Sequence, residues 1–191
     1  MNEPSPRYAQ ALKATRDFHA TKDLFTGRFL LNYRHYVEMV LAEHDVLTVL
    51  DYGCGKGRQW SEPMADGRML ADRWKVKQVL HDPGVPQFSK EPKGTFDLVI
   101  CTQVLCYVPT KDVRWIMDRL CGFADKAVFV GERIGPVKKK IHNDYLDEMP
   151  RNLDHEEWKS LLLTADLSKP VYLGTRGSRH NAYQSKFERI A

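Results

Sequence analysis

Residues 48–57, Thr-Val-Leu-Asp-Tyr-Gly-Cys-Gly-Lys-Gly, run from an apolar strand into an acidic residue and then into a loop with glycine at every second position. Three glycines so close together cost conformational entropy on ordering, so the loop is one that must turn with positive φ and let a ligand touch its backbone. The dinucleotide fingerprint is G-x-G-x-x-G, whereas the spacing here is D-x-G-x-G-x-G, with the carboxylate inside the signature. A carboxylate at the end of the first strand would repel a diphosphate. It suits a ligand that carries an ammonium group and a sulfonium.

The rest of the chain alternates strand and helix signals. Residues 7–21 and 27–44 read as helices, the second with Leu30, Tyr33, Val37, Val40 and Leu41 on one stripe. Apolar runs at 46–51, 76–82, 96–101 and 127–132 read as strands, and 171–176 with 182–190 as a closing hairpin across residues 177–181. Between them, Pro63 and the Asp66-Gly67 pair split 58–75 into two short helices. Val113, Ile116, Met117 and Leu120 mark a helix that Gly122 should end. Asp154 with Glu157 predicts a capping box ahead of Trp158, Leu161 and Leu162. The expected fold is α/β, a Rossmann-like, mostly parallel sheet with an antiparallel last strand, preceded by N-terminal helices. One domain is expected over 1–191, with a helical cap at 1–45 and the core at 46–191. Residues 83–95 are too short for another helix and strand.

Val49 to Gly57 resembles the first motif of the class I S-adenosylmethionine-dependent methyltransferases, and residues 96–105, Phe-Asp-Leu-Val-Ile-Cys-Thr-Gln-Val-Leu, resemble their fourth-strand motif. Val79-Leu80-His81-Asp82-Pro83 between them is similar to the family's second strand, whose terminal acid binds ribose hydroxyls. More narrowly, Phe25-Thr26-Gly27-Arg28, 51–57 and 82–92 resemble small members found in phages and proteobacteria. The resemblance implies S-adenosylmethionine as methyl donor. The shortened 83–95 segment departs from the family, and leaves no candidate for the adenine-binding aspartate that normally follows a third strand.

Parallel strands with helical crossovers bind ligands at their carboxyl ends. The donor-site candidates are therefore Asp51, Gly53, Cys54 and Gly55 for the methionine moiety, and Asp82 with Pro83 for the ribose. Thr102 and Gln103 would close the floor, and Arg28 would reach the donor's carboxylate. The helix after the glycine loop would turn its N-terminal amides to the ligand. Methyl transfer from a sulfonium is an in-line displacement, so alignment and exclusion of water matter most. A base helps only some acceptors, and His142, Tyr145, His155 and His180 are the candidates, alongside the plainer reading of loop histidines and a packed tyrosine. Cys106-Tyr107 stands where many small-molecule members resemble Glu-His, and Tyr107, Arg176 and Arg179 are candidates for holding a small, anionic acceptor.

Other classes fit less well. Twenty-nine basic and 25 acidic residues are spread without a basic tail, and the nucleobase signatures, Asn/Asp-Pro-Pro-aromatic or Pro-Cys, do not follow the 96–101 strand. Nucleic acid and protein acceptors are thereby disfavoured. Cysteines at 54, 101, 106 and 121 form no C-x-x-C pair or zinc spacing, so reduced thiols and no metal are expected. With no apolar leader or span, a cytoplasmic protein is expected, with no membrane partner. The activity read from these features is methyl transfer to oxygen or nitrogen of a small molecule. The alternatives are a donor-binding subunit without catalysis and a nicotinamide dehydrogenase, which lacks the fingerprint spacing.

Overall fold

A computed structural model of the chain describes residues 3–21, 26–135, 149–150, 153–177 and 185–191. Six strands form one sheet: β1 (Thr48–Tyr52), β2 (Lys77–His81), β3 (Phe96–Thr102), β4 (Ala124–Arg133), β5 (Val171–Arg176) and β6 (Lys186–Arg189). Their order is β2-β1-β3-β4-β5-β6. Every neighbouring pair is parallel except β5 and β6. This is the expected Rossmann-like sheet with its antiparallel final strand. Residues 82–95 contribute a single 3-10 turn, Pro86–Phe88, so β2 is the sheet's edge.

Helices cover both faces because successive strand residues point to opposite sides. Leu50, Tyr52, Val99, Cys101, Val128 and Val130 pack beneath α5 (Val113–Phe123) and α6 (His155–Leu162). Val49, Leu98, Ile100, Ala127 and Phe129 face the opposite layer, built from α2 (Arg34–Glu43), α3 (Arg58–Ser61) and α4 (Leu70–Trp74). The first helix, α1 (Pro6–Thr21), lies across the carboxyl ends of the strands. Ser5 donates from its amide and hydroxyl to the buried Asp112 carboxylate, and Arg16 Nε donates to the Pro83 carbonyl.

Two local expectations need correction. The stripe at 27–44 is a 3-10 turn, Phe29–Asn32, followed by α2, because Tyr33 (φ −110°, ψ 5°) interrupts the helix. Leu30, Tyr33, Val37 and Val40 are still fully buried, so the hydrophobic stripe survives the break. Gly122 does not end α5, which runs through Phe123 directly into β4. The Asp154 capping box forms with both reciprocal bonds. Among the described residues, no helix is long and apolar enough to cross a membrane. Residues 136–148, including the lysine run at 138–140, lie outside the described residues.

Candidate functional site

The site starts from the glycine loop after β1. Gly53, Gly55 and Gly57 have φ of 81°, 56° and 65°, left-handed values that cost little only at glycine. The loop is bolted to the end of β2: the Gly53 and Cys54 amides donate to the His81 carbonyl, and the Gly55 amide donates to Asp82 Oδ2 at 2.8 Å. Asp82 Oδ1 accepts from the Gly84 amide, also at 2.8 Å. One buried carboxylate thus fixes two backbone turns. A third strand of chain locks the loop from outside, since a Cβ on Gly27 (φ 73°) would stand 2.2 Å from the Cys54 carbonyl oxygen. The Thr26 and Gly27 carbonyls take the amides of Arg58 and Gln59, so the amides that open α3 are satisfied internally, contrary to expectation.

These segments line a half-open cavity of about 90 Å³. Gly53, Cys54, Gly55, Asp82, Pro83, Thr102, Gln103 and Tyr107 all line it, so the topology brings seven of the nine donor-site candidates, with Tyr107, to one place. Gln103 has φ 53°, a strained value for a side-chain-bearing residue, held by its amide bond to the Gly131 carbonyl. Its side-chain amide donates to the Tyr33 hydroxyl at 3.3 Å. Cys54 is buried, its thiol bonds the Gly55 carbonyl, and burial pushes the thiol far up, which leaves it a packing residue.

Asp51 is placed differently from its expectation. It shares the α3 face of β1 with Val49, is fully buried, and does not line the cavity. Its Oδ2 accepts from Gln59 Nε2 and Trp60 Nε1, each at 2.6 Å. Burial raises its carboxyl to about 6, against the lowering effect of those two bonds. Gln59 does line the cavity, and with its NH₂ turned to Asp51 its Oε1 has no hydrogen-bond partner in the structure, nor has Asp51 Oδ1. Gln59, with its unpartnered buried oxygen, and the Asp82 carboxylate thus both belong to the cavity wall beside the glycine loop.

Other candidates do not converge there. Arg28 is exposed, pairs with Glu62, and lies outside the cavity lining. Arg176 donates to the Asn32 carbonyl and side chain, and lines a separate shallow groove with Tyr36 and His35. His155 is a buried strut joining α6 to β5 and β6: its ring nitrogens meet Thr175 Oγ1 at 2.6 Å and Glu188 Oε1 at 2.7 Å. That geometry leaves neither nitrogen for an acceptor at the cavity. His142, Tyr145, Arg179 and His180 lie outside the described residues. Three contributors escaped sequence reading. Gln59 carries no pattern of its own and Gly27 stands in the 25–28 motif without an assigned role, but the face of α1 formed by Tyr8, Ala11, Leu12, Thr15 and His19, which roofs the cavity, was present in the sequence as an i, i+3, i+4, i+7, i+11 stripe.

Glu132 stands near the end of β4, on the carboxyl edge where the sequence already places it. It is fully buried and its Oε1 accepts from the Val104 and Leu105 amides at 3.1 and 2.9 Å, fixing the turn that carries Val104 and Tyr107 into the cavity. Burial raises its carboxyl to about 8, opposed by those amides. Because the folded state holds this proton more tightly than the unfolded chain, its contribution is complete at low pH and is lost as pH rises through about 8. Half-buried His19 and buried His81 are held below their ordinary value by desolvation and act in the opposite sense, but only around and below 6.5. Between pH 7 and 8.5 the melting temperature should therefore fall by roughly 3 °C or more, about 1 kcal/mol at this length. Glu132→Gln, which keeps an acceptor for both amides, should flatten that slope in thermal melts; an unaltered slope would exclude Glu132 as its source.

Comparison with protein families matches residues 26–130, more than half of the 191-residue chain, to a methyltransferase domain. The matched span runs from the Thr26–Gly27 clamp through the glycine loop, Asp82 and Thr102–Gln103 to β4. A search of curated proteins returned no match.

Proposed function

We propose that this chain, which belongs to the methyltransferase-domain family, transfers a methyl group from S-adenosylmethionine to oxygen or nitrogen of a small molecule. The observation that carries the reading is the cavity where the left-handed glycine loop, the Asp82 carboxylate and Gln59, whose buried Oε1 has no partner, meet at one sheet edge. When bound, S-adenosylmethionine supplies a methyl carbon activated by its sulfonium. Asp82 already accepts one amide on each oxygen, and the remaining lone pairs suit the two ribose hydroxyls. Gln59 Oε1, oriented by Asp51, suits the ammonium group. Thr102 and Gln103 close the floor, and the roof from α1 keeps water out of the reacting space. A small site that reaches Tyr107 supports a small acceptor over a polymer.

An acceptor screen with isotopically labelled donor tests the activity: labelled methyl product and S-adenosylhomocysteine should appear together. Donor binding without product from any acceptor would favour a non-catalytic subunit. The ammonium assignment has its own check by isothermal titration. Gln59→Met should weaken S-adenosylhomocysteine about tenfold, ~1.4 kcal/mol, while methylthioadenosine, which has no amino-acid end, binds as before. Equal losses for both ligands would move the ammonium elsewhere.

A further inference from the structure

We propose that the open edge of β2 is a docking site for an acidic, extended peptide segment of a partner protein, which adds to the sheet as a further strand. The first observation is the edge itself. Among the described residues, β2 pairs with β1 and with no other strand. The Lys77 amide donates to the Leu47 carbonyl, and the Gly53 amide donates to the His81 carbonyl. In a parallel ladder, residues bonded to one neighbour alternate with residues turned away from it. Lys77, Val79 and His81 therefore serve β1, while the N–H and C=O groups of Gln78 and Leu80 point outward. Among the described residues, nothing pairs with those four groups.

The second observation is the course of the chain after β2. Asp82 is outward by the same alternation, and its amide donates to the Phe88 carbonyl at 3.0 Å. The chain thus crosses the edge beyond the carboxyl end of β2 and continues on the His81 face, where His81 Nδ1 meets the Lys90 carbonyl at 3.1 Å. That path caps the end of the strand and leaves Lys77 exposed and Gln78, Val79 and Leu80 half-buried. A groove of about 500 Å³ lies there, lined by Val79, Pro92 and Phe96 and by Lys77, Lys90 and Lys93. Residues 83–95 supply no strand of their own to fill it.

The third observation is charge. All three lysines are exposed, and among the described residues none of them has an ion pair. Glu91, which lines the same groove, is taken by Arg119 of α5. Lysine at a sheet edge discourages pairing with a like strand, and a second copy of β2 would bring a second set of these cations to one interface. The same cations favour a strand that carries carboxylates. Free amides and carbonyls select a peptide among anions, because a peptide backbone supplies acceptors and donors at strand spacing. The occupant is therefore an acidic strand with an apolar residue facing Val79.

NMR titration of the full-length chain at low salt provides the test. The probe is a blocked heptapeptide in which threonine alternates with glutamate, valine and glutamate. It should bind and slow hydrogen exchange of the Gln78 and Leu80 amides severalfold. The version with glutamine for glutamate should bind about fivefold more weakly, on the scale of exposed ion pairs. Gln78→Pro removes an outward N–H that β1 does not use and puts a ring in the path of the incoming strand, so it should melt like wild type and lose the peptide. Lys93→Glu decides the matter if the proline destabilises the strand: it should weaken the acidic peptide severalfold and spare the glutamine version. No binding of the acidic peptide, unchanged exchange at Gln78 and Leu80, or equal binding of both peptides would overturn the proposal and leave the lysines as guards of a bare edge. A thymidine trinucleotide of equal charge that binds as tightly would overturn it too, by marking a surface for anions of any kind.

Discussion

Gly27→Ala is expected to destabilise the protein by roughly 3 kcal/mol and to lower donor affinity at least tenfold. The new Cβ would meet the Cys54 carbonyl oxygen at 2.2 Å and the Gly57 amide nitrogen at 2.4 Å, both backbone atoms with no rotamer to escape into. The φ of 73° adds about 1–2 kcal/mol for any residue with a Cβ, and forced overpacking typically adds about 1–3 kcal/mol. The two segments can separate only by breaking the bonds from Arg58 and Gln59 to the Thr26 and Gly27 carbonyls, which position Gln59 at the cavity. Thermal melts should show a fall of roughly 6–12 °C. Titration of the folded variant at low temperature with S-adenosylhomocysteine should show the affinity loss. A variant that melts and binds like wild type would mean that the 26–27 segment does not clamp the glycine loop.

Asp82→Ala is the second large effect, an expected loss of ~2–3 kcal/mol in donor binding, on the scale of hydrogen bonds to a charged group. The substitution removes the acceptors proposed for the ribose hydroxyls and also strips the Gly55 and Gly84 amides of their partners. Those two losses separate experimentally. Methylthioadenosine, which keeps the ribose, should weaken as much as S-adenosylhomocysteine, whereas its 2′,3′-dideoxy analogue should lose less on going from wild type to variant. Equal losses for diol and dideoxy ligands would confine Asp82 to holding the loop.

How far the sequence reached differs by residue. The glycine spacing, the acid ending β2 and the Thr-Gln ending β3 were readable because each is a local requirement: a turn that only glycine makes, or a polar group interrupting an apolar run. The strand-helix alternation followed from hydrophobic periodicity for the same reason, and the family match at 26–130 covers those same segments. Helix ends were less legible. Gly122 looked like a stop, but α5 passes straight into β4, where sheet pairing and burial of Ala124 outweigh local propensity.

Asp51 shows where local reading ends. Its identity and position were plain, but its direction was decided by strand alternation together with the placement of Trp60 and Gln59, so it reaches the cavity only through a neighbour. His155 is the converse case, a titratable residue in a suitable place along the chain that β5 and β6 convert into a buried brace. The sequence by itself determined the elements, the glycine loop and the acids at the strand ends, since those depend on neighbours within a few residues. Only the tertiary structure decided that α1 roofs the cavity, that Gly27 clamps the loop and that Arg176 faces elsewhere, because contacts between residues far apart in the chain are set by packing and burial, which no local pattern encodes.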